Sequence, residues 1–191
     1  MSIVTLPNWS PAGVLPPIDA VAPTSANRSP YRVALADFVL RFGISRERSD
    51  ILDGLLRYRA ALHAAGLVTG FQWIDGSFLE HVELVAGRPP NDVDVVTFFR
   101  IAAGDSQDAV LKRNPDLFDQ AKVKQTFNVD GYLVLLDGDA SVLVANSAYW
   151  YGVWSHRRDM TWKGFVELDL TPAETPATDL LKTLTASGVT P

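Results

Sequence analysis

Cysteine is absent from the 191 residues of this chain, which excludes disulfides, thiolate metal sites and a cysteine nucleophile. Histidine is nearly absent. His63, His81 and His156 stand far apart, so a histidine zinc site is not expected. Positive charge is in deficit, with 17 Lys and Arg against 22 Asp and Glu and a formal charge of −5. That balance argues against a broad nucleic-acid-binding surface and leaves room only for a local basic patch. Long apolar runs are missing too. No stretch approaches the ~20 apolar residues of a membrane helix. The start, MSIVTLPNWSPAG, has neither the basic residues nor the apolar run of a signal peptide. These absences leave a cytoplasmic protein as the expectation, with no membrane partner.

What is present fits a globular domain: 47% apolar and 20% charged residues, on a chain long enough to bury a core. Residues 1–30 are proline-rich and aperiodic and read as an extended arm, leaving 31–191 as a single domain. Tyr31 to Phe42 has helical spacing and stops at Gly43; Ser45 is placed to cap a second helix ending near Gly66. Phe71–Asp75, Val93–Phe99 and Phe127–Leu136 read as strands. Phe78–Val85 reads as a helical turn or two, and 105–124 as a helical stretch broken at Pro115. Ala140–Trp154 reads as an aromatic-rich helix, Lys163–Leu170 as a half-exposed alternating strand, and 177–186 as a last short helix. The fold class expected is α/β (α+β), a small mixed sheet flanked by helices.

The segment Phe71–Phe99, FQWIDGSFLEHVELVAGRPPNDVDVVTFF, carries the chemistry. Asp92 and Asp94 are two apart at the start of a strand and project to one face. Paired carboxylates repel unless a cation sits between them, and hard oxygen ligands suit Mg²⁺ or Mn²⁺. The Gly76-Ser77 turn would let backbone N–H groups approach a phosphate. Turn chemistry after Pro89-Pro90 explains Asn91 and Asp92 equally well, but not Asp94 inside the apolar run. Asp130 interrupts FNVDGYLVLL and is the best third carboxylate, although a strand-end site or a nearby lysine would also satisfy it. Glu167 and Asp169 belong to the exposed face of an alternating strand.

Two further features compete with bland readings. SHRRDMTWKG gathers His156, Arg157, Arg158 and Lys163, which could bind a triphosphate tail or simply cap a helix end. Tyr149, Trp150, Tyr151 and Trp154 invite base stacking, but core packing is the better account of four aromatics in one helix. Glu80 and His81 read as surface residues of the short helix after the Gly-Ser turn.

Taken together, strand, Gly-Ser, helix and Asp-x-Asp strand resemble the signature of the nucleotidyltransferase superfamily, which shares the DNA polymerase beta catalytic fold. WIDGSFLE, PPNDVDVV, NVDGYLV, YWYGVWSHRRD and WKGFVELDL also resemble a bacterial family of uncharacterised nucleotidyltransferase-like proteins, over roughly residues 31–170. The resemblance implies a nucleotidyltransferase-like core and a Mg²⁺-dependent (or Mn²⁺-dependent) transfer from a nucleoside triphosphate. By that resemblance Asp92, Asp94 and Asp130 bind metal and carry catalysis. Gly76 and Ser77 bind nucleotide phosphates, and Lys163 joins them. The acceptor implied is a protein, an RNA end or a small molecule. The alternative is a non-catalytic nucleotide-binding or partner-binding module on the same fold, with a protein partner in a toxin–antitoxin or phage-defence system. A weaker third reading is a metal-dependent phosphohydrolase.

Overall fold

A computed structural model describes residues 5–186, so the first four residues of the expected arm and the last five of the expected domain lie outside the described residues. In chain order the elements are β1 (Tyr31–Val33), α1 (Leu35–Phe42), α2 (Arg46–Ala64), β2 (Gly70–Asp75), α3 (Val82–Ala86), β3 (Val93–Phe99), α4 (Gln107–Arg113), α5 (Gln120–Phe127), β4 (Val129–Leu135), α6 (Ala140–Trp154), β5 (Val166–Asp169) and α7 (Glu174–Ala186). The strands form one mixed sheet in the order β1-β5-β2-β3-β4. β2 runs antiparallel to both β3 and β5, while β3–β4 and β1–β5 are parallel. The fold is α+β, as the alternation of strand and helix patterns implies.

One strand was not foreseen. Tyr31–Val33 reads as the start of a helix but pairs with β5 instead. The Tyr31 N–H donates to the Phe165 carbonyl, and Ala34 is extended, so α1 begins only at Leu35. Ser45 does cap α2, its Oγ accepting from the Arg48 N–H at 3.3 Å. α4 stops before Pro115, which opens the short 3-10 turn Pro115–Phe118, as expected of a residue with no N–H to give.

The two faces of the sheet differ. On one, Gln72, Ile74, Val95, Thr97 and Leu168 are fully buried. There Arg59 of α2 donates to the Gln72 Oε1 at 2.6 Å, and Gln72 in turn donates to Thr97. On the other face the strands grade along their length. At one end Phe98 stacks on Phe71 and meets Trp73 edge-on, with ring centroids 4.7 and 4.8 Å apart. The opposite end of that face is acidic. α6 covers part of it through Trp150 against Tyr132 and Trp154 against Phe165. Thus packing explains Trp150 and Trp154, whereas Tyr149 is 60% exposed and shares a side with Val142 and Val153 on a helix that carries no charge.

The N-terminal arm is packed onto the domain. Val14 and Leu15 are buried. The Trp9 Nε1 donates to the Leu79 carbonyl at 2.7 Å, and the Gly164 N–H donates to the Leu15 carbonyl. Phe38, Phe42 and Phe78 meet beneath the arm. Each such ring contributes on the order of 1.5–3 kcal/mol by leaving water, and Phe78 thereby anchors the chain just after Gly76-Ser77.

Candidate active site

Strand register builds the acidic end. Asp75, the last residue of β2, is opposite Asp94 of β3, and Asp94 is opposite Asp130 of β4. Directly opposed residues project to the same side of a sheet, so three carboxylates form a row across three strands. Asp92, two residues before Asp94, joins them. Strand register thus brings Asp94 and Asp130 side by side, with Asp92 adjacent. Asp75 adds a fourth carboxylate to the three expected from sequence, and the alternation Phe71, Trp73, Asp75 places it on that face.

Two lysines close the row from opposite ends. Lys124 of α5 places its Nζ 2.7 Å from Asp92 and 3.1 Å from Asp130. One helical turn earlier, Gln120 donates to the other Asp130 oxygen at 2.5 Å. Gln120 and Lys124 share a face of α5 because they are four residues apart. Close backbone approach sets α5 in place: a Cβ on Gly54 of α2 would lie 2.0 Å from the Phe127 carbonyl oxygen. Asn128 then turns the chain from α5 into β4 in the left-handed conformation, its side chain donating to the Asn91 carbonyl at 2.8 Å.

At the other end Lys163 is 6% exposed. Its Nζ lies 2.9 Å from Asp75 and 3.2 Å from Glu80, and Arg157 donates to the second Glu80 oxygen at 2.7 Å. Lys163 was expected to face a nucleotide; its ammonium instead faces these buried carboxylates. Glu80, expected at the surface, is buried instead, because Lys163 and Arg157 draw its carboxylate inward. His81 stacks on Trp9, centroids 4.5 Å apart. The basic cluster is split, with Lys163 and Arg157 turned in and Arg158 left exposed.

Gly76 joins the two ends. Its φ of 86° with ψ of −174° belongs to glycine alone. A Cβ there would stand 2.1 Å from the Asp94 carboxylate oxygen, so the turn rests directly on Asp94. The Gly76 N–H bonds to the Asp75 carboxylate, and Ser77 opens the short 3-10 turn Ser77–Leu79.

The electrostatics follow from crowding. Burial, then Asp92 and Asp130, push the Asp94 carboxyl up to about 6, against the pull of Lys163 and Lys124. Burial pushes Asp75 up to about 7, against the pull of Lys163. Burial alone would lower the Lys163 ammonium, but Asp75 and Glu80 outweigh it and the net shift is upward. Lys124 is also raised, first by its hydrogen bond to Asp92. Perturbed groups of this kind are shared by functional sites and by buried ion-pair networks.

A family model described as a family of unknown function, DUF6932, matches residues 7–169. The chain belongs to that family. No curated protein and no solved structure matches it. The DUF6932 span takes in the packed arm from Pro7, the whole acidic row, both lysines and β5, and stops before α7.

Hard carboxylate oxygens around one cationic nitrogen are the donor chemistry that Mg²⁺ or Mn²⁺ takes. Their present spacing is that of an ammonium site: among the described residues no group of three or more Asp, Glu or His could hold a metal ion as it stands. Lys124 fills the space between Asp92 and Asp130.

Proposed function

We propose that this protein is a divalent-cation-dependent nucleotidyltransferase. It moves a nucleotidyl group from a nucleoside triphosphate to an acceptor that is a protein side chain, an RNA end or a small molecule. The observation that carries this reading is the row of Asp94 and Asp130 in register on parallel strands, with Asp92 beside them and Gly76 seated on Asp94. The resemblance of WIDGSFLE and PPNDVDVV to the superfamily signature supports it.

Asp92, Asp94 and Asp130 would hold Mg²⁺ or Mn²⁺, which would supply charge neutralisation at the phosphate oxygens. The chain's own residues do the rest. The acceptor oxygen attacks the α-phosphorus, the bond from that phosphorus to the bridging oxygen breaks, and pyrophosphate leaves. Asp130, at the outer end of the row, accepts the acceptor's proton. Ser77, beside the bare Gly76, orients the phosphates next to Asp94. A cytoplasmic setting, rich in nucleotides and Mg²⁺, goes with this reading, and no helix among the described residues is long and apolar enough to cross a membrane.

A second reading is favoured by one observation: the Gly76 N–H and the Lys163 ammonium are both engaged by Asp75, which leaves fewer groups to grip a triphosphate. The same fold would then serve as a nucleotide-binding module without transfer. Labelled nucleoside triphosphates with Mg²⁺ or Mn²⁺ separate the two. Transfer or pyrophosphate release, together with loss of metal-dependent nucleotide binding on combining Asp92→Ala with Asp94→Ala, is the expected result. Binding that survives the double substitution sinks both readings of this site, and binding without release across several acceptors leaves the module.

A further inference from the structure

We propose that the outer side of α6 pairs with α6 of a second copy of this chain, antiparallel about a two-fold axis. This surface is separate from the carboxylate row and holds whether or not that row handles nucleotides.

α6 is fixed from behind. Trp150 packs on Tyr132 and Trp154 on Phe165, so the outer side is a preformed surface. Val142, Ala145, Tyr149 and Gly152 run along it and all are exposed, Val142 at 56%. Their spacing of three, four and three residues is that of the a and d positions in a coiled-coil seam. A Cβ on Gly152 would meet nothing within 4 Å, so the groove beside Tyr149 is open. None of the 15 residues of α6 is charged. Single exposed valines are ordinary, but an aligned apolar stripe without charge has the composition of an interface core.

Size and charge name the occupant. Large and small residues alternate along the stripe, with Val142 and Tyr149 at one heptad position and Ala145 and Gly152 at the other. Each layer of an antiparallel helix pair joins an a residue to a d residue. Pairing centred on Ser147 sets Tyr149 beside Ala145 of the partner subunit, and Val142 beside Gly152 of the partner subunit. Every layer then holds one large and one small side chain. A parallel pair would instead set tyrosine against tyrosine and glycine against glycine, crowding some layers and emptying others. The helix ends agree. Asp137 and Asp139 stand exposed at the N-terminal end, and Arg158 stands exposed just past the C-terminal end, with no ion pair of its own among the described residues. Antiparallel pairing brings each acidic end beside a basic one. Two copies carrying −5 each repel at long range, and an uncharged seam with opposite charges at its rim is what lets them meet.

Sedimentation equilibrium of the whole protein over a concentration series tests this. The seam spans less than two heptads, so a monomer–dimer equilibrium with a dissociation constant on the order of 1–100 μM is expected. Tyr149→Lys should weaken it at least about tenfold, because it sets two like charges near the axis. Val144→Lys is the control. Val144 is 68% exposed on the same helix but lies off the stripe, so this variant adds the same charge and should leave association within about twofold. Cross-linking reads the orientation, since the chain has no cysteine of its own. Val142→Cys and Gly152→Cys proteins, oxidised together with copper phenanthroline, should form a mixed disulfide. Neither should couple to itself, because ten helical residues place like positions about 15 Å apart along an antiparallel pair. Self-coupling of either variant would make the pair parallel and overturn the proposal. Equal weakening by Tyr149→Lys and Val144→Lys would overturn it by moving the association to net charge. A protein that stays monomeric up to about 1 mM would overturn it too and leave the face to a different protein. The cross-linking arm keeps Tyr149 in place, so the test stands even if Tyr149→Lys fails to fold.

Discussion

The two ends of the carboxylate row use the same pieces to opposite effect. At one end Lys163 sits between Asp75 and Glu80, sealed from water and backed by Arg157. At the other, Lys124 sits between Asp92 and Asp130, nearly half exposed, with Gln120 beside it. Asp94 lies between the two and feels both lysines. The difference is desolvation. A buried cation between two buried carboxylates cannot leave, because its departure strands their charge in a poor solvent. An exposed cation can leave at little cost, because water replaces it. One end is built as a fixture that holds the Gly76-Ser77 turn against β5, the other as an exchangeable seat.

The largest expected effect tests the fixture. Lys163→Met leaves Asp75 and Glu80 with only Arg157 to oppose them, and should cost about 3–5 kcal/mol of stability at pH 8, read as a shift in the urea midpoint. The cost should shrink as pH falls toward about 7, because Asp75, which titrates near 7 with Lys163 beside it, takes up its proton at a higher pH once that ammonium is gone. If Lys163→Met costs no more than Lys124→Met, the contrast between a closed and an open end collapses.

Gly76→Ala strikes where the ends meet. The substitution forces a side chain into a conformation only glycine tolerates, at about 1–3 kcal/mol, and drives its Cβ onto the Asp94 oxygen. A stability loss of roughly 2 kcal/mol is expected from chemical denaturation. Displacement of Asp94 should also abolish Mn²⁺ binding. Retained binding with the same stability loss would mean that Gly76 shapes the turn alone and not the row.

How far the sequence foretells this arrangement depends on the range of each interaction. Val93–Phe99 and Ala140–Trp154 are legible because apolar period and length suffice. Asp94 and Asp130 are legible because charge inside an apolar strand demands a partner, and Asp92 joins them by its spacing of two from Asp94. Tyr31–Val33 is missed because three residues carry no period, and its only reason to be extended is β5, more than a hundred residues on. Asp75 and Glu80 are missed because they flank a turn where a carboxylate looks solvated; only the tertiary approach of Lys163 and Arg157 reveals otherwise. Gln120 and Lys124 show in sequence only as a polar helix face, and nothing in their spacing says that α5 turns that face onto β3 and β4.

Asp94→Asn sharpens the comparison from the middle of the row. Its carboxyl titrates near 6 in the fold and near 3.9 in the unfolded chain. Between those values the native state binds the extra proton, so its contribution to stability is complete below about pH 4 and is lost as pH rises through about 6. Asparagine cannot ionise and escapes that loss. The variant should match wild type near pH 4 and exceed it by about 1–2 kcal/mol at pH 8. The comparison is made by urea denaturation across that range in metal-free buffer. A pH-independent difference would mean that Asp94 is not strained by its neighbours.

The smallest effect belongs to the exchangeable seat. In metal-free buffer Lys124→Met removes two partly exposed contacts and should lower stability by less than about 1 kcal/mol. The loss arises because Asp92, Asp94 and Asp130 then face one another without a counter-charge, and it should disappear when Mg²⁺ or Mn²⁺ is added at millimolar concentration. The same addition should not rescue Lys163→Met, whose stranded carboxylates lie where a hydrated ion has no path. Divalent rescue at Lys124 and not at Lys163 is the signature that distinguishes a seat from a fixture. Rescue at both would place a cation path through the buried end and make the two lysines equivalent, and rescue at neither would make Lys124 a surface contact with no bearing on the row.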